Sequence, residues 1–333
     1  MSRPDYYRRQ RGVALITAIL LTAIATTAAV SMAARQHVDI RRSNNLFDDD
    51  QALLFAGGVE TWAGEVLIRD RRDGPVDHEN EDWATILPPI SVEGGLVAGR
   101  IVDLQGRFNI NNLIRDGKAS EADVVAFRRL LDILDIDTVL VDRVIDWLDT
   151  DENVTFPNGA EDGRYLRYQV PYRTANHRMA SPSELLLVEG MTMEIYDKLS
   201  PYIAALPERT AVNVNTASAE VLMALIDGLT RADAERVISD RGDKGYTSVE
   251  AFAANKIVKP LLQAESKKQQ KQAAQFRGII PGSAVQDVQF SVGSDYFLIA
   301  ASSSYGRAQI GFNSIIKRSG EGVKVIMRAR GAI

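Results

Sequence analysis

The stretch RRQRGVALITAILLTAIATTAAVSMAAR occupies residues 8–35. Arg3, Arg8, Arg9 and Arg11 crowd ahead of Gly12, and Val13 to Ala34 then runs 22 residues without a charge. At about 1.5 Å per helical residue this run spans the roughly 30 Å of a bilayer's hydrocarbon. The basic cluster predicts a cytoplasmic N-terminus with the bulk of the chain on the far side. The apolar core of a secretory signal is usually shorter, about 7–15 residues, and ends at a small-x-small site. VSMAA, residues 30–34, offers such a site. A cleaved signal, an uncut signal anchor and a partly trimmed anchor therefore all stay open on this stretch alone. Beyond Arg35 the chain runs on without proline to Asp73. Leu53, Leu54, Val59, Trp62, Val66 and Leu67 recur there at helical spacing. A membrane helix passing without a break into an amphipathic one is unlike an ordinary signal peptide.

A short basic leader, a glycine and about 20 apolar residues resemble the class III signal of type IV pilins and type II secretion pseudopilins. The resemblance implies cleavage by a prepilin peptidase between Gly12 and Val13, N-methylation of Val13 and retention of the apolar helix. Residues 1–12 are then the leader and 13–34 the transmembrane helix. Members of these families usually begin with Phe and carry Glu at the fifth mature position. Val13 and Thr17 stand there instead.

The 333 residues are 45% hydrophobic and 25% charged, the balance of an ordinary globular protein. A net charge of −5 argues against a nucleic-acid partner, whose phosphates require a basic surface. With no cysteine, disulfides, thiolate metal sites and cysteine nucleophiles are excluded. His37, His78 and His177 show no HExxH spacing, and neither a GxSxG nor a P-loop is present. The chain therefore reads as a non-enzyme.

Residues 71–90 (RRDGPVDHENEDWATILPPI) are rich in Asp, Pro and Gly and predict the end of the long helix. Leu96, Ala98, Ile101 and Val102 suggest a strand, and DYFLIAASSSYG, RAQIGFNSIIKRSG and EGVKVIMRARG read as an antiparallel meander. Residues 35–105 are thus a helix and first strands, 106–280 a helical insert, and 281–333 the closing strands. KKQQKQAAQ, residues 267–275, reads as a polar link back to the sheet. GRFNINNLI (106–114) and TAVNVNTASAEVL (210–222) each place Asn-x-Asn ahead of a helix, a weak internal repeat. Asn109, Asn111, Asn213 and Asn215 read as helix caps. The second copy also resembles helix-hairpin-helix and sterile-alpha-motif-like modules.

DWLDTDENVTFPNGAEDGRY, residues 146–165, is the most chemically loaded stretch. Asp146, Asp149, Asp151, Glu152, Glu161 and Asp162 put six carboxylates in 17 residues, with Asn153 and Asn158 adding amide oxygens. Such density fits either a solvated acidic loop or a calcium loop, since calcium takes six to eight oxygens. Asp149-x-Asp151-x-Asn153 copies the start of an EF-hand. Val154 then stands where the turn glycine belongs and Ala160 at the twelfth position, so the loop is not an EF-hand.

The run from Asp146 to Gly190 closely resembles the minor pseudopilin K family of type II secretion systems, general secretion pathway protein K. Its landmarks are Asp146-Trp147, Gly159-Ala160-Glu161-Asp162, Tyr172-Arg173, Ala175-Asn176 and Ser183-Glu184-Leu185. The absence of Glu at position 17 fits the same family. The resemblance implies an α+β fold: a long N-terminal helix packed on a small antiparallel sheet, with a large helical domain of two related halves inserted. It implies structural calcium, with Asp149, Asp151, Asn153, Glu161, Asp162 and Glu184 as candidate ligands. It implies a subunit at the tip of a periplasmic pseudopilus, anchored in the inner membrane with its N-terminus cytoplasmic. The implied partners are the sibling minor pseudopilins I and J (and H), the prepilin peptidase and exported protein cargo. The alternative is a membrane-anchored DNA-uptake protein using the hairpin-like segment, and a basic patch over residues 210–255 would mark it.

Overall fold

The computed structural model describes residues 11–275, 290–320 and 322–331. The leader up to residue 10 and the segment 276–289 lie outside the described residues. Helix α1, Arg11–Asp73, is 63 residues long, about 95 Å. Its first part is long and apolar enough to cross a membrane, and residues 13–34 are exposed throughout. Its last third packs on a sheet through Ala52, Ala56, Val59, Ala63, Val66 and Leu67, spaced three and four apart along one face. The alanines bring the helix axis close to the sheet. At Gly99 the approach is closest: a Cβ there would lie 2.7 Å from Val59 Cγ1.

The sheet has five strands in the order β1 (Leu87–Val92), β2 (Gly95–Asp103), β3 (Tyr296–Tyr305), β4 (Ala308–Ser319) and β5 (Gly322–Arg330). All four pairings are antiparallel. The expected strand and meander are therefore present. The segment 71–90 holds more than the end of the helix, because β1 lies partly within it. Pro88 and Pro89 lack an N–H and would be excluded from a central strand, but β1 is at the edge and its register shifts between Leu87 and Ile90.

Strands β2 and β3 are neighbours, yet residues 104–295 lie between them, so the helical insert replaces a hairpin turn. The ends of the sheet fix where the insert sits. Toward the apolar part of α1, Tyr305 packs edge-on against Phe47 and Phe55, and Asp48 accepts a bond from Arg307 N. At the other end the chain leaves β2 at Asp103 and returns at Tyr296, beside Asp70 and Asp77 at the close of α1. The insert therefore stands on the end of the sheet farthest from the apolar part of α1. Leu104, Ala204, Leu206, Tyr296 and Ile315 form the apolar seam between the two.

Two buried polar groups lock this junction. Asp103 accepts from Gln105 N (2.7 Å), Asn213 Nδ2 (3.1 Å), Thr216 Oγ1 (2.5 Å) and Ser294 Oγ (2.7 Å). Arg318, 1% exposed, donates to Asp70 at 2.7 Å, to both oxygens of Asp77 at 2.6 Å and to Ser294 O at 2.7 Å. Its guanidinium lies 4.8 Å from the Phe297 ring centroid.

Inside the insert the two Asn-x-Asn segments do the same work. Phe108–Asn109 pairs in parallel with Ile203–Ala204, and Val212–Asn213 with Phe290–Ser291. Asn109 Oδ1 accepts from Asn111 N, and Asn213 Oδ1 from Asn215 N. Asn111 exchanges two hydrogen bonds with the backbone of Met179, and Asn215 does so with Tyr246. Capping thus describes Asn109, which opens a 3-10 turn at Ile110–Leu113, but not Asn111 or Asn215, which hold distant loops. The helices are α2 (Glu121–Ile133), α3 (Leu140–Leu148), the single turn α4 (Asp162–Tyr165), α5 (Met193–Leu199), α6 (Ala219–Leu225), α7 (Arg231–Ser239), α8 (Val249–Ala253) and α9 (Val258–Gln275). Thr192, Ser218, Thr230 and Ser248 cap α5, α6, α7 and α8 with their hydroxyls. Helix α9 runs through residues 267–275, the polar link: Lys, Gln and Ala are good helix formers, so polarity there does not break the helix.

Candidate functional site

Helix α3 is apolar on one face and carries Asp142 and Asp146 on another, with Asp149 capping its end. Spacings of four and three residues put all three on one side of the helix. The following loop is pinned to them. Thr155 N donates to Asp146 at 2.9 Å, and the Asn158 side chain donates to Asp142 at 3.2 Å. Gly159 passes so close that a side chain there would collide with the Asp146 carboxylate. This brings Glu161 back against the helix end.

Asp146, Asp149 and Glu161 each offer an oxygen within 4.8 Å of the others, and all three are buried. Asp149 Oδ1 and Glu161 Oε1 have no hydrogen-bond partner among the described residues, and neither does the buried Asn176 Oδ1. Asn176 is held beside this loop by its bond to Asp151 O. Burial, reinforced by the Asp151 and Asp146 charges, pushes the Asp149 carboxyl up to about 6. Burial pushes Glu161 up to about 7, against a bond from Thr174 and with added repulsion from Asp146 and Asp149. Burial also raises Asp146. Buried carboxylates facing one another with orphaned lone pairs are costly unless a cation joins them. Three carboxylates and an amide oxygen are hard donors, which suit calcium.

The other candidate ligands from the sequence are engaged in bonds of their own. Asp151 accepts from the backbone and side chain of its neighbour Asn153. Asp162 accepts from Thr174 and pairs with Arg173 at 3.3 Å. Glu184 bonds back to Ala180 N and Ser181 N in a capping box. Asp146 faces Asp149 and Glu161, and Asn176 stands beside the loop through its bond to Asp151 O. The three-residue step from Asp146 to Asp149 was the available signal for the first, and nothing local marks the second. In a second acidic group, Asp70, Asp77 and Glu81, Arg318 pairs with Asp70 and Asp77, and Glu81 accepts from Trp83 Nε1 at 2.6 Å.

In the membrane segment, Thr17 Oγ1 donates to Val13 O and Ala14 O at 3.0 Å each, so its hydroxyl is turned back onto its own helix. On the hairpin-like segment Arg231 pairs with Glu220, Arg236 with Asp233, and Lys268 with Asp227. Arg231, Arg236 and Lys268 are thus each held by a carboxylate, which gives no support to phosphate binding.

A membrane-length helix that continues across a small antiparallel meander defines a pilin-like subunit, here with a helical insert and an acidic pocket. Residues 106–208 and 212–291 match the two family models described as type II secretion system protein K. Type II secretion system protein K of Pseudomonas aeruginosa is 36% identical over 97% of this chain and 94% of its own length. That of Aeromonas hydrophila is 32% identical over 96% of this chain and 97% of its own. The crystal structure of the GspK-GspI-GspJ complex from the enterotoxigenic Escherichia coli type 2 secretion system contains a chain that superposes with a TM-score of 0.75 at 26% identity. The match covers 88% of this chain and all of that one. The chain belongs to the type II secretion system protein K family, the minor pseudopilins of that machinery.

Proposed function

We propose that this chain caps the membrane-distal tip of the pseudopilus and helps start its assembly, in complex with the sibling minor pseudopilins I and J, so that folded proteins are exported. The observation that carries the reading is the position of the insert on the end of the sheet farthest from the membrane helix. Any subunit added above would meet that bulk. Thr17 supports it too. An unpaired N-terminal ammonium in an apolar helix bundle is costly, and Thr17 offers no carboxylate to a subunit beyond it. That the structural relative stands in a GspK-GspI-GspJ complex supports the choice of partners. The same reading makes the chain a single-pass inner-membrane protein, N-terminus inside and bulk periplasmic, and a structural subunit rather than a catalyst.

Processing at Gly12 belongs to this proposal, with Val13 as the methylated mature N-terminus. Gly12→Val should leave a full-length precursor in the inner membrane and stop secretion, read by N-terminal sequencing of membrane-purified protein. A mature N-terminus beyond Ala34 would contradict the reading.

The acidic pocket is proposed to hold a structural calcium ion through Asp146, Asp149, Glu161 and Asn176. Bound there, the ion supplies the positive charge that three buried carboxylates lack, and so fixes the 149–161 loop against α3.

A further inference from the structure

Along α1, Ile40, Phe47 and Leu54 recur every seven residues and stay more than half exposed, although Phe47 also has an edge contact with Tyr305. A seven-residue repeat is the seam of a helix pair, because a neighbouring helix meets the same face once every two turns. The seam continues directly from the membrane segment, so the helix it meets also rises from the membrane. Just above Leu54 stand Gly57 and Gly58. Beyond the neighbouring backbone of α1 itself, a Cβ built on either meets no atom of the described residues within 4 Å. The chain's own packing therefore asks for no glycine there. Within a helix, glycine is about 1 kcal/mol worse than alanine. Two such residues side by side in a 63-residue helix are a local defect that the monomer does not explain.

We propose that Gly57 and Gly58 form the crossing point at which the anchor helix of a sibling minor pseudopilin comes closest to α1, its side chains entering the notch between Leu54 and Trp62. This rests on the partner reading above. It adds the place of closest approach and the reason glycine occupies it. Without side chains at 57 and 58 the two backbones come nearer, as small residues permit at helix crossings. Leu54 and the partly exposed Trp62 wall the notch one turn below and one above.

The test uses the full-length chain and full-length siblings I and J in detergent. Gly57→Ala with Gly58→Ala should raise the melting temperature of the chain by about 2–4 °C, because alanine favours helix. The same change should weaken sibling binding at least about tenfold, because each methyl overfills a close contact. The opposite signs separate a contact from a flexible joint. Leu54→Arg serves as the control for the seam and should weaken binding without a change in melting. If the double alanine variant binds as tightly as the natural chain while Leu54→Arg binds weakly, the notch proposal fails and the sibling reading survives. If the double alanine variant melts lower, the glycines serve the chain's own fold and the proposal fails. If the natural chain binds neither sibling, both fail together.

Discussion

Arg318→Met should destabilise the protein by about 3–5 kcal/mol, the range for breaking a buried ion pair from one side. Arg318 is the cation for Asp70 and Asp77 and also donates to Ser294 O, so one substitution strands two carboxylates and a carbonyl. Burial and the neighbouring Glu81 and Asp77 already push Asp70 up to about 7 in the intact protein. Removing the guanidinium leaves the penalty without its compensation. Asp77→Asn added to Arg318→Met should recover part of the loss, since it removes one stranded charge. Chemical denaturation of the three proteins at neutral pH measures this. A loss below about 1 kcal/mol for the single variant would mean that the junction does not depend on the pair.

Calcium removal is the second large effect. An ion that binds only the folded state stabilises it by about 2.7 kcal/mol when free calcium is a hundredfold above the dissociation constant. Chelator should lower the melting temperature, and Asp149→Ala with Glu161→Ala should abolish the difference between calcium and chelator. The pH dependence has a definite sign. Asp149 and Glu161 titrate near 6 and 7 in the fold, against about 4 when unfolded. Between those values the folded state holds more protons, so in chelator its stability falls as pH rises from about 4 to 7. Calcium replaces those protons, and the slope should flatten when it is added. Melting curves that coincide in calcium and in chelator at pH 7.5 would rule the ion out.

The anchor and the meander were legible because each rests on contiguous residues: 22 uncharged ones in a row, and three β-rich runs separated by glycine turns. The β1 strand was hidden by Pro88-Pro89, which argue against a strand unless one knows that it lies at an edge. The acidic stretch was recognised as a place, but its geometry was not. Six carboxylates in 17 residues do not reveal which three converge, because that depends on the side of α3 they leave from and on how far the loop folds back. Glu184 looked like a ligand by motif and is a cap by geometry. The Arg318 clamp had no sequence signal at all, since its partners Asp70 and Asp77 lie more than 240 residues away. Asn109 and Asn213 were visible as a repeat, while the loops that Asn111 and Asn215 hold could be found only in three dimensions.

The central claim is that this subunit ends the filament. Its most direct test is to place a gold label on the insert, through a cysteine introduced at the exposed Glu152, and to image pseudopili assembled with the siblings and the major subunit. The account predicts one label per filament, at one end. Labels spaced along the shaft would contradict it.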